Sequence, residues 1–170
     1  MQPPAVVRRA AALGLKLAGA LSFLPPLLTR LVIGYAFYQA GQGKLAHPEK
    51  IVEFFTGLGI PLPAANAAFV SRLEFYGGML LVVGLLSRLV AALLGSTMIV
   101  ALMTADKAAF LEALAGAGEA GPTDVVPVVY GLFLLWLVVF GPGAASLDAL
   151  LRRWLRPETP RHPEADSVAA

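Results

Sequence analysis

The sequence predicts an all-α integral membrane four-helix bundle, with both termini in the cytoplasm (N-in/C-in) and short interfacial amphipathic helices beside the spans. Three observations predict it. Of the 170 residues, 58% are hydrophobic and only 14% charged. Mean hydropathy is +0.74. Four apolar stretches each approach the roughly 20 residues that cross a bilayer. A soluble domain carries about 25% charged and about 45–50% apolar residues, so the apolar excess here is expected to face lipid. Backbone in hydrocarbon must satisfy its own hydrogen bonds, which makes the stretches helices.

The elements follow in order. Residues 1–24 read as an N-terminal cytoplasmic or interfacial segment, with Arg8, Arg9 and Lys16 among alanines and leucines. A signal peptide is the rival reading, with a basic start, an apolar middle and Ala18-Gly19-Ala20 as the small-residue site. Charge recurring as late as Lys16 favours an uncleaved surface helix. Residues 25–156 form the membrane domain. Its spans are expected at about Leu27–Leu45, Ala67–Leu86, Leu89–Asp106 and Val125–Gly141, the first opening after Pro25-Pro26 as a helix N-terminus should. Ser87-Arg88 is the expected hairpin between the second and third spans.

Two excursions separate the spans. In the first, Ile51, Phe54, Phe55 and Leu58 recur at helical spacing with Lys50 and Glu53 pointing away, while Pro48 starts and Gly59 with Pro61 stops the segment. This predicts a short helix lying in the outer interface. The second, from Lys107 to Thr123, offers Phe110, Leu111 and Leu114 before a Gly-rich stretch. After Gly141-Pro142-Gly143, a third amphipathic helix sets Leu147, Leu150, Leu151, Trp154 and Leu155 beside Arg152, Arg153 and Arg156, suiting an anionic cytoplasmic surface. Residues 157–170 are rich in Pro, Glu and Ala and are expected to form a disordered cytoplasmic tail.

Charge bias sets the topology. Arg8, Arg9, Lys16, Arg30, Arg88, Arg152, Arg153, Arg156 and Arg161 fall on one side, against Lys44, Lys50, Arg72 and Lys107 on the other. The basic side is cytoplasmic. A net charge of +2, dispersed along the chain, argues against nucleic acid as a partner. There is no cysteine, so the chain supplies no disulfide relay, thiolate nucleophile, iron–sulfur ligand or covalent haem attachment. His47 and His162 lie outside every span, which removes bis-histidine haem ligation, and no metal site is expected. Any electrons would belong to a partner or to a bound lipid-like cofactor. A stand-alone enzyme is therefore not expected, and no catalytic residue is assigned.

The polar residues at membrane depth form a belt. A charge inside a span costs at least ~2.5–3.5 kcal/mol, so each needs a partner or a purpose. At about 1.5 Å of rise per residue, Glu74 and Gln39 lie about 18 Å from the inner boundary, Tyr38 just below them, Tyr130 at about 16 Å and Thr104 at about 22 Å. Tyr35, Gln42, Lys44, Arg72 and Asp106 border the belt. In one reading Glu74 pairs with Lys44 or Arg72 and hydrogen-bonds to Gln39 and Tyr130, fixing helix registry. In the other, Glu74, Gln39, Tyr38, Tyr130 and Lys44 receive a polar headgroup such as a quinone ring, with Glu74 as donor or proton acceptor. Transport or proton conduction is a third use. Arg30 lies only about 5 Å inside the inner boundary. It is expected to snorkel to the cytoplasm and pair with Asp148 as a structural clamp. Gly34 with Gly41, Gly77 with Gly84, and Ala91 with Gly95 form small-residue stripes for close helix packing, within the bundle or between copies.

The motifs also resemble a known family. Arg30, then Ala40-Gly41-Gln42-Gly43-Lys44-Leu45, then Leu58-Gly59-Ile60-Pro61 after a Phe-Phe pair, resemble the start of the DoxX family. Glu74-Phe75-Tyr76-Gly77-Gly78 with Gly84-Leu85-Leu86-Ser87-Arg88 resembles its second-helix signature, and Gly141-Pro142-Gly143 with Ser146-Leu147-Asp148 its closing motif. Thr104-Ala105-Asp106-Lys107 stands where the family pattern would place a histidine and aromatic residues, and Val129 where it would place an acid. The resemblance implies a four-helix protein of a bacterial or archaeal cytoplasmic (inner) membrane. It further implies a non-catalytic subunit of a quinone-linked oxidoreductase complex, with quinone as the possible, non-covalent cofactor. The alternative is an accessory or chaperone-like protein that binds a partner protein, a second copy or a small lipophilic ligand without redox chemistry.

Overall fold

A computed structural model describes residues 4–155, which contain helices and no strand. The elements are α1 (Ala5–Ala20), α2 (Leu24–Ala46), α3 (Pro48–Gly57), α4 (Pro63–Val83), α5 (Ser87–Met103), α6 (Lys107–Ala115), a 3₁₀ turn (Pro122–Asp124), α7 (Val126–Phe140) and α8 (Leu147–Trp154). Proline opens α2, α3, α4 and α7 within the first two positions. The missing N–H would be unpaired there in any case, and the fixed φ suits the helix. The expected tail, with Arg156, Arg161 and His162, lies outside the described residues.

Packing divides the bundle into two tight pairs. α2 lies most extensively on α4, and α5 on α7. Small residues make the first contact close. A Cβ added to Gly41 would sit 2.2 Å from the Phe75 nitrogen, and one added to Gly78 would sit 2.4 Å from the Tyr38 nitrogen. Between the pairs lies an apolar core of Ile33, Phe37, Leu81, Val90, Ala91, Leu94, Leu134 and Leu137. The outward faces keep large apolar side chains exposed, among them Val32, Phe69, Leu89, Ile99, Leu135 and Phe140.

Two expected boundaries shift. The hairpin between α4 and α5 is Gly84-Leu85-Leu86, while Ser87 and Arg88 belong to α5. Gly84 ends α4 at φ +76°, and Leu86 takes φ +50°. A left-handed glycine satisfies the last carbonyls of a helix at little cost, so the chain turns there rather than at the polar pair. α5 stops at Met103, short of Asp106, and the chain bends by 78° into α6. By length and composition one helical run, Val6–Ala46, is long and apolar enough to cross a membrane. The bent pair Ser87–Met103 with Lys107–Ala115 makes a second if taken together, and α7 is apolar but shorter. α4 has the length, but it carries Asn66, Arg72 and Glu74.

Candidate functional site

The two helix pairs meet firmly at one end and enclose a cavity at the other. The cavity holds about 690 Å³ and is lined from α2 by Phe37, Ala40 and Lys44, from α4 by Glu74, from α5 by Thr97, Met98 and Ala101, and from α7 by Tyr130. The apolar face of α3, with Ile51, Phe54, Phe55 and Leu58, closes one side. The sequence assigned this amphipathic helix to the bilayer interface, and the structure adds that its apolar face lines the cavity. Its two phenylalanines on one amphipathic stripe were the available signal.

Glu74 is 3% exposed, and Lys44 Nζ donates to its Oε1 in a salt bridge. The route to this pair is local. Gly41 lets α2 approach the backbone of Glu74 and Phe75, and Lys44 follows one helical turn later on the same face. Such a pair gains Coulomb energy in a poorly solvated site but loses hydration, so its geometry and remaining hydrogen bonds decide its net value. Glu74 Oε2 is buried with no hydrogen-bond partner. The serine and threonine hydroxyls of the cavity wall are engaged elsewhere: Ser96, Thr97 and Thr104 donate to the carbonyls of Leu93, Leu94 and Val100.

Of the predicted belt, Lys44, Glu74 and Tyr130 converge, and Thr104 and Asp106 also line the cavity. Gln39 and Tyr38 do not. Gln39 is exposed and donates to the Tyr35 hydroxyl at 2.9 Å. The Tyr38 ring lies 5.1 Å from that of Phe75 and 6.4 Å from that of Tyr35. They share a depth with Glu74 but lie on other faces of α2, since each residue turns the helix by about 100°. Arg72 is also excluded, donating to its own helix at Ala68 O.

A second polar cluster forms the joint at the far end. Asp148 accepts from the Leu86 and Ser87 nitrogens at 2.8 and 2.9 Å, and its own nitrogen donates to Gly84 O at 2.9 Å. The carboxylate therefore caps α5 from another helix, where it also meets the positive end of the helix dipole. Arg30 is 1% exposed and donates through Nη2 to Ala145 O. The expected Arg30–Asp148 ion pair is replaced by this arrangement, because the carboxylate is occupied by backbone N–H groups. Among the described residues the salt bridge is Lys44–Glu74. Nor does Arg30 snorkel: its guanidinium packs onto Gly84, where an added Cβ would lie 1.7 Å from Nη1. Among the described residues no group of three or more His, Cys, Asp or Glu is placed to hold a metal.

The motifs of the sequence thus sort into two places. Arg30, Gly84–Arg88 and Gly141–Asp148 build the joint, while Lys44 and Glu74 build the cavity. Comparison with known proteins gives the same frame a family. The DoxX profile matches residues 26–107. An uncharacterised membrane protein of Mycobacterium tuberculosis is 30% identical over 139 residues, covering 76% of this chain and 83% of the relative. The chain belongs to the DoxX family. The DoxX match runs from α2 through α5 and so contains both Lys44 and Glu74. A Bacillus subtilis protein named as a candidate oxidoreductase, CatD, is 35% identical over 86 residues, covering 50% of this DoxX chain and 63% of that protein. No solved structure gives a significant match.

Proposed function

We propose that this DoxX protein is a multi-pass subunit of a bacterial or archaeal cytoplasmic membrane that holds a quinone head in the cavity at Lys44–Glu74 and serves an oxidoreductase complex without catalysing alone. In this reading α2, α4, α5 and α7 cross the bilayer, with the joint at the cytoplasmic side. Their outward apolar side chains support the crossing, since a soluble monomer rarely leaves contiguous apolar patches of more than a few hundred Å² uncovered. The name of the Bacillus subtilis relative supports the redox link.

The observation that carries the reading is an ion pair of α2 and α4 lining a largely apolar cavity of about 690 Å³. Small-molecule sites have this make-up, mostly apolar walls with a few placed polar groups, at roughly 300–1,000 Å³. The residues fit a quinone: Phe37, Phe55 and Tyr130 offer ring walls, and Lys44 keeps N–H groups beyond the one given to Glu74. A bound quinone would supply two-electron carrier chemistry, while this chain binds and orients it. The accessory reading keeps less support, because Gly34, Gly41 and Gly78 meet the facing helix of their own pair and Gly77 meets Val90 and Leu94.

Glu74→Gln should lower partner-dependent quinone reduction by about tenfold or more, as loss of a charge-assisted contact would, with the protein still inserted. Undiminished reduction in that variant would remove Glu74 from the function.

A further inference from the structure

We infer that the cavity selects a ligand whose head carries a hydroxyl donor, and so takes a phenolic or quinol-type head over the corresponding carbonyl or ether. The inference rests on the reading of the cavity as a ligand site, but not on the ligand being a quinone.

The reasoning is a count of donors and acceptors. Glu74 lines the cavity, its Oε1 accepts from Lys44, and its Oε2 is buried without a donor. A buried carboxylate oxygen left unpaired is costly, and more so than a neutral acceptor. The serine and threonine side chains of the cavity wall offer no repair. The hydroxyls of Ser96, Thr97 and Thr104 are already turned to carbonyls of α5 at 2.6, 2.8 and 2.7 Å. Asn66 lines the cavity too, but its Nδ2 donates to Pro61 O. A carbonyl-headed ligand brings acceptors only, which Lys44 can serve and Oε2 cannot use. A turn of the Glu74 side chain brings Oε2 to the cavity, where a hydroxyl-headed ligand donates to it and accepts from Lys44 through the same atom. The pair itself sums to no net charge, so an uncharged head enters without leaving a buried ion unbalanced.

The test uses the full chain in lipid nanodiscs and two probes that differ by one proton donor. These are para-dodecylphenol and its methyl ether, matched in ring and tail. The phenol should bind roughly tenfold to a hundredfold tighter than the ether, the range expected for a hydrogen bond to a charged group. In Glu74→Gln that ratio should shrink to a few-fold. Equal affinities in the natural protein, absence of binding by both, or a ratio undiminished in the variant would each overturn the inference. The first two comparisons need no variant and stand even if Glu74→Gln fails to fold. Decylubiquinol and decylubiquinone, compared without oxygen, separate this inference from the functional reading. Phenol selection with neither quinone form bound keeps the inference and ends the quinone assignment. Equal binding of both quinone forms keeps the assignment and overturns the inference.

Discussion

At the scale of the residue, the Lys44–Glu74 pair holds the chemistry, and its two halves are unequally placed. Glu74 is 3% exposed, whereas the Lys44 side chain is 29% exposed. Removing the lysine strands a carboxylate among apolar walls, and breaking a buried pair from one side costs about 3–5 kcal/mol. Partial exposure of Lys44 brings the expected loss for Lys44→Met to about 3 kcal/mol. Replacing both residues, Lys44→Met with Glu74→Leu, should restore most of that loss, because no uncompensated charge remains. Unfolding by denaturant in a mild detergent measures both. If the double variant is no more stable than the single one, the pair is not the source of the penalty. The residue scale is also where the sequence was read least well. Depth along a helix follows from counting, and of the belt it proposed, Glu74, Lys44 and Tyr130 come together at one cavity. The face of the helix depends on which neighbour the glycines let in, and that misplaced Gln39 and Tyr38.

Elements were legible wherever their ends carry local signals. Prolines set the starts of α2, α3, α4 and α7, and the spacing of Ile51, Phe54, Phe55 and Leu58 gave α3 within a residue or two. The α4–α5 turn was misplaced because one residue that fixes it stands far away in the chain. Asp148 reaches Leu86 across 62 positions, a distance no periodicity can register. Its removal is correspondingly specific. Asp148→Ala leaves two N–H groups of α5 without their acceptor, and loss of a cap costs about 1 kcal/mol, with up to about 2 in favourable sites. A lowered Tm in the purified protein, with ligand affinity little changed, is the expected result. A Tm equal to that of the natural protein would mean that water or lipid replaces the carboxylate at no cost.

For the whole molecule, the natural absence of cysteine makes the proposed orientation easy to examine. Single cysteines placed at Lys50, in α3, and at Arg153, in α8, provide one reporter near each end of the bundle. A membrane-impermeant maleimide added to intact cells should label Lys50→Cys and spare Arg153→Cys until the cells are opened. Equal labelling of both before lysis would refute the crossing of α2, α4, α5 and α7 in the proposed sense. The helical class was legible from composition alone, since so much apolar surface leaves a chain few other ways to satisfy its backbone. The division into two pairs was not, because all four long helices carry similar apolar content. What separates them is the set of close approaches at Gly34, Gly41 and Gly78, which direct α2 onto α4 rather than onto α7.

The joint also imposes an order of events on synthesis. Its parts come from positions 30, 84–88 and 141–148, so the last of them leaves the ribosome only after α2, α4, α5 and α7 have been made. Every residue lining the cavity, from Ala36 to Tyr130, precedes that moment. Until Asp148 arrives, the first turn of α5 lacks its acceptor and Arg30 lacks the carbonyl of Ala145. The walls of the cavity are therefore complete before the clasp that holds them together can close. A chain released early, just beyond α7, would contain all the lining residues but lack Ala145 and Asp148, the acceptors that close the joint.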